Sequence, residues 1–197
     1  MDGLTNDIAE LDQGGRRWAD LKVITTICER LPTSLVRFFL DEALQDRVHH
    51  EILTETDPSA DLVNSLSFQL YDRKLLLLFR AFFNEWVLAS ASSEGIYHDY
   101  EGEGVATLLP SSRTSEDIME RRKQFHIHIV KANESFIELT AYVKQSFPQF
   151  DIDESDKAGV RRYQDRMANV DREIGDIAVS LRNHRRVSKS IELNDYL

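Results

Sequence analysis

The sequence predicts an all-α fold, an antiparallel bundle of about five helices, three of them ~50 Å long at 1.5 Å per residue. A short hairpin or ordered loop is expected at 95–110. Three observations carry this. Val160, Tyr163, Met167, Val170, Ile174, Ile177 and Leu181 alternate three and four apart, and the register runs on through His184 and Ser188 to Ile191. A second heptad stripe holds Ile118, Phe125, Ala132 and Leu139 in one position and Ile129, Phe136 and Val143 in the other, with Arg122 as its exception. Between them in type lies Leu75–Phe83, apolar on nearly every side except Arg80, as a helix enclosed by neighbours would be.

Residues 1–15 end in Gly14-Gly15 and hold few large apolar groups, so they read as a polar tail before a single helical-bundle domain over 16–197. The first helix spans about Arg16 to Leu31, with Trp18, Leu21, Ile24, Cys28 and Leu31 on one side. Pro32 stops it, because the residue before a proline is pushed out of helical geometry. Thr33 or Ser34 caps a second helix, which Val36, Leu40, Leu44, Val48 and Ile52 extend to about residue 52. Asp57-Pro58 opens the third, helical to about Ala91. Its two stripes, Leu66, Leu70 and Leu77 beside Phe68, Tyr71, Leu75, Leu78, Phe82, Trp86 and Ala89, imply more than one packing partner.

Glycines 95, 102 and 104 among Tyr97, Tyr100, Val105, Thr107 and Leu109 give the hairpin pattern. Thr114 or Ser115, followed by Glu116 and Asp117, then caps a helix that Phe147 and Pro148 end. The acidic connector Asp151–Asp156 leads into the last helix, with Ser155 as its expected cap.

The net charge of −10 argues against a general nucleic-acid binder, which needs an excess of Lys and Arg on the surface that meets phosphate. Cys28 is the single cysteine, so the chain has no intrachain disulfide framework and no thiolate zinc cluster, which fits a cytoplasmic setting. The run Leu75–Phe79 is too short to span a membrane before Arg80 interrupts it, and no membrane partner is expected.

One charged surface stands out. Arg182, Arg185, Arg186 and Lys189 fall at i, i+3, i+4 and i+7 with no acid between them, a positive strip suited to an anion or an acidic partner. The blander account is that cations complement the dipole at a helix C-terminus. His184 takes a stripe position where Leu or Ile would be usual, and a histidine satisfied at a helix interface is the favoured reading. Arg182-Asn183 resembles the first half of the motif carried on a late helix by bacterial ribonucleases of the HEPN type. Where that family has its histidine this chain has Arg186, Val187 and Ser188. The resemblance implies Arg182 as a catalytic candidate, and the neighbouring His184 is the histidine that a ribonuclease in a toxin or phage-defence setting would have to use.

Asp46 with His49 or His50 has the spacing that puts carboxylate and imidazole on one helix face, the outline of a metal site. A di-iron bundle needs Glu-x-x-His on two helices, and that motif does not occur. Cys28 lies on an apolar face, as an inert thiol does. Tyr97, Tyr100, Glu101 and Glu103 make an aromatic and acidic loop suited to protein contact. The favoured reading is a non-enzymatic interaction protein that needs no cofactor, contacting a protein partner or a second copy through its long C-terminal helix. An RNA-binding or ribonuclease-type helical protein using the basic strip is the alternative.

Overall fold

The computed structural model describes residues 2–49, 59–65, 68–93, 96–99, 105–108, 115–169 and 172. The chain forms the all-α helical bundle its periodicity predicts. Helix α1 is Asp2–Arg30, α2 is Thr33–Leu44, a helical turn α3 covers 59–64, α4 is Arg73–Ser93 and α5 is Glu116–Ser146. Residues 152–169 are helical and are labelled α6. Strands β1 (Arg47–His49), β2 (Tyr97–Asp99) and β3 (Val105–Leu108) form an antiparallel sheet in the order β1-β3-β2. The hairpin expected at 95–110 is the β2–β3 pair, with His98 opposite Thr107.

The chain divides into two compact units, Met1–Gly159 and Val160–Leu197. Within 160–169 the stripe residues Val160, Tyr163 and Met167 are only half-buried, so the described part of that seam does not form a core. The remainder of the stripe, from Val170 to Ile191, lies outside the described residues.

In the first unit, α4 and α5 pack side by side and run in opposite directions. From the start of α4 onward, Asp72 meets Tyr142 at 2.8 Å, the Phe82 ring meets that of Phe136 at 5.3 Å, and Glu85 meets His128 at 2.7 Å. Their aromatic residues build the core: Trp86 lies 4.5 Å from Phe39 of α2 and 5.5 Å from Phe82. Phe82, Phe83, Trp86 and Phe125 are wholly buried. Aromatic burial of this kind is the largest single source of stability in a helical core. The α5 stripe behaves as its spacing predicts, burying Phe125, Ile129, Ala132, Phe136, Leu139 and Val143, and Ser115 caps the helix by accepting from the Ile118 amide.

Several boundaries differ from the periodicity. Helix α1 begins at Asp2 rather than after a tail. The pair Gly14-Gly15 sits inside it, since a helix interior tolerates glycine at a cost of ~1 kcal/mol each. Helix α2 stops at Leu44, well short of residue 52. Asp46 turns the chain at φ 64, a left-handed conformation that Asp tolerates better than most residues, and Arg47–His49 leaves as a strand on β3. Val48 is buried as expected, but from the sheet, while Leu44 of the supposed stripe is exposed.

The segment expected to be one helix from 58 to 91 is broken between 65 and 72. The break is held from a distance: both carboxylate oxygens of buried Asp20 accept backbone amides, from Tyr71 at 2.7 Å and Asp72 at 2.8 Å. Asp72 then caps α4 by accepting from Leu75 N at 2.9 Å. Nor is α4 enclosed all round, because Leu77, Val87 and Leu88 face outward.

Caps also shift. Asp151, not Ser155, accepts from the Glu154 amide at 3.0 Å to start α6. Pro32 occupies the cap position of α2 without a side-chain cap of its own. The carboxylate of Asp156 takes that role, accepting from Ser34 N at 2.8 Å and Thr33 Oγ1 at 3.0 Å. Gly159 permits this approach: a Cβ there would lie 2.7 Å from Pro32 Cγ and 3.1 Å from the Cys28 carbonyl.

Candidate functional site

The residues singled out by the sequence are dispersed. Arg182, His184, Arg185, Arg186 and Lys189 all lie outside the described residues, as do His50, Tyr100, Glu101 and Glu103. Tyr97 is placed only as backbone at the start of β2.

Asp46 and His49 do not share a helix face, since α2 has ended before either. Asp46 instead faces α5, with Oδ2 3.0 Å from Arg122 Nη2 and Oδ1 2.7 Å from His126 Nε2. This also accounts for Arg122, the exception in the α5 stripe. His49 lies 3.4 Å from Glu42 and 5.0 Å from the Phe38 ring. Arg47, hydrogen-bonded to Glu42, holds that carboxyl below its ordinary range. A guanidinium already seated on Asp46 opposes a cation there, and among the described residues no group of three or more His, Cys, Asp or Glu is placed to hold a metal. The shared helix face expected for Asp46 and His49 is therefore not formed, while His50 lies outside the described residues.

One polar concavity was not anticipated. Arg16, Arg17, Asp20, Tyr71, Asp72, Tyr142 and Gln145 line a cleft of about 460 Å³ where α1, the start of α4 and the end of α5 meet. Its acids are already committed: Asp20 to two backbone amides, Asp72 to the α4 cap and the Tyr142 hydroxyl. Burial, with Asp72 adding to it, pushes the Tyr142 phenol up. Arg17 donates to the Ser146 carbonyl and lies over the Phe147 ring, and Arg16 lies over Tyr71. These bonds tie the middle of α1 to the start of α4 and the end of α5, and both carboxylates of the cleft are taken up in them. Nothing local in the sequence marked Asp20, because its partners are 51 and 52 residues away.

Cys28 behaves as its apolar setting predicted. Burial, reinforced by the charges of Asp156 and Glu29, pushes its thiol up to about 12, so it holds its proton at neutral pH.

A third feature is the outward face of α4. Leu77, Ala81, Asn84, Leu88 and Ala91 are all exposed and spaced 4, 3, 4, 3, the interval of a helix seam. Leu77 is 58% exposed and Leu88 46%, with Val87 flanking at 41%. Only Leu77 of this row belongs to a stripe read from the sequence, and Leu70 of that stripe is buried. By length and composition α4 would also cross a membrane, but in this fold Leu75, Phe79, Phe82, Phe83 and Trp86 are buried in the core.

Compared with family models, curated proteins and solved structures, the chain finds no match.

Proposed function

We propose that this chain is a non-enzymatic helical protein that works by protein–protein contact, and that the outward face of α4 is its contact surface. The observation that carries this is the 4-3-4-3 row Leu77, Ala81, Asn84, Leu88, Ala91, exposed on a helix whose opposite face is sealed in the core. Isolated surface leucines need no explanation, but apolar residues kept in heptad register offer the ridge that a second helix packs against. Leu77 and Leu88 are about half-exposed, so covering each is worth roughly 1 kcal/mol, part of what a contact along the whole row would supply.

The C-terminal strip Arg182, Arg185, Arg186 and Lys189 is a second surface in the same proposal, suited by its charge to an anion or an acidic partner. The ribonuclease alternative through Arg182 and His184 has no supporting observation among the described residues. A single cysteine supports a cytoplasmic setting, as part of the same proposal.

The test is a photo-activated cross-linker at position 88, compared with one at Glu134, an exposed polar position on α5. A discrete adduct at 88 and none at 134, whether to a second copy or to another protein, is the expected result. Equal, diffuse labelling at both positions would sink the proposal.

A further inference from the structure

Resting on the reading of α4 as a contact face, we infer that its occupant is an acidic amphipathic helix of a partner protein, with two carboxylates seven residues apart along one edge of its apolar row. The face is positive in a negative protein. Every exposed charged residue of α4 is a cation, Arg73, Lys74 and Arg80, although the chain as a whole carries −10. The one acid of the helix, Glu85, is half-buried and held by His128 at 2.7 Å. Lys74 is set over the Tyr142 ring, but among the described residues Arg73 and Arg80 have no ion pair or hydrogen bond. With no free acid to offer, a second copy of this face does not fit it.

Arg73 and Arg80 lie seven residues apart, ~10.5 Å along the axis, so they project from the same edge of the row, and Val87 holds the next position of that edge. A helix laid along Leu77, Ala81, Asn84 and Leu88 therefore brings one of its own edges against two guanidiniums and then an apolar side chain. Carboxylates repeated every seven residues meet both cations with the charge-assisted bonds that arginine favours. Lysines or arginines there would meet like charge. The start of α4, where Arg73 stands, adds the positive end of the helix dipole.

An anionic bilayer would also meet the cations, but the rest of the row favours a protein helix. Ala81 and Ala91 leave gaps beside Leu77 and Leu88 that the larger apolar side chains of a partner helix fill, as knobs fill holes. Asn84 sits exposed in mid-row, where a partner side chain can satisfy its amide and hydrocarbon cannot. The net negative charge of the chain is itself repelled by an anionic surface.

The experiment titrates the full chain into three dye-labelled helical peptides that share leucines at the 4-3-4-3 spacing and differ only at two edge positions, seven apart, which hold Glu, Gln or Lys. At ~50 mM salt the Glu peptide should bind at least ~10-fold tighter than the Lys peptide, with Gln between, and the gap should close to under ~3-fold at ~0.5 M salt. Arg73→Glu/Arg80→Glu should reverse that order while the helical circular dichroism stays native. Leu77→Asp/Leu88→Asp should abolish binding of all three. Equal affinities, an order that the charge reversal leaves unchanged, binding that survives Leu77→Asp/Leu88→Asp, or no binding of any peptide at ~100 µM would overturn the acidic helix. Binding to vesicles half of phosphatidylglycerol in place of the peptides would overturn it too. A discrete photo-adduct from position 88 would in those cases leave the contact-face reading standing.

Discussion

Asp156 offers the sharpest test of how the first unit is held together, because one side chain there does two separable jobs. Its carboxylate caps α2 across 122 residues of sequence through Ser34 N, and it also bonds Thr33 Oγ1. Asp156→Ala removes an N-cap, which costs ~1 kcal/mol and up to ~2. A charged acceptor raises the figure, but Asp156 is half-exposed, so about 1–2 kcal/mol is expected. For a chain of this size that lowers Tm by roughly 2–8 °C. Asp156→Asn keeps an acceptor oxygen and should lose less than half as much.

The second job separates the variants the other way. Asp156 adds to the shift that keeps Cys28 protonated, so both substitutions, by removing the charge, should lower the thiol's pKa and speed its reaction with Ellman's reagent above pH 9. Thermal melts and labelling rates read the two effects independently. Native Tm in Asp156→Ala, or labelling that tracks Tm rather than charge, would refute the reasoning.

Other expectations follow from the same contacts. Gly159→Ala gains helix propensity, yet its Cβ meets Pro32 Cγ at 2.7 Å and two backbone carbonyls at 3.1 and 3.2 Å, so a net loss of ~1–3 kcal/mol is expected in urea melts. Gly14→Ala and Gly15→Ala meet nothing within 4 Å and sit inside α1, so each should stabilise by up to ~1 kcal/mol, read as a higher urea midpoint. Since the folded chain keeps the Cys28 proton up to about 12, the unfolded chain ionises first. Stability should therefore fall as pH rises from the ordinary thiol value of ~8.5, and Cys28→Ala should flatten that dependence.

What could be read in advance was whatever the chain fixes locally. The α5 seam and its Ser115 cap involve residues three or four apart, and both are where the spacing puts them. The end of α2 was illegible because Val48 continues the four-residue spacing of Val36 and Leu40. Its true partner is Ala106 on β3, a pairing that no local pattern announces. The break before α4 was hidden for the same reason, as Asp20 holds it from another helix. The outer row of α4 was missed beyond Leu77, because Ala81 and Asn84 interrupt its apolar spacing, and periodicity does not tell whether the chain itself covers a face.

Photo-cross-linking from position 88 in the full chain, alongside the same chain carrying Leu77→Asp, tests the contact face most directly. A discrete adduct that Leu77→Asp removes, with unchanged helicity, is the predicted result. The same labelling with and without the substitution would contradict a contact face on α4.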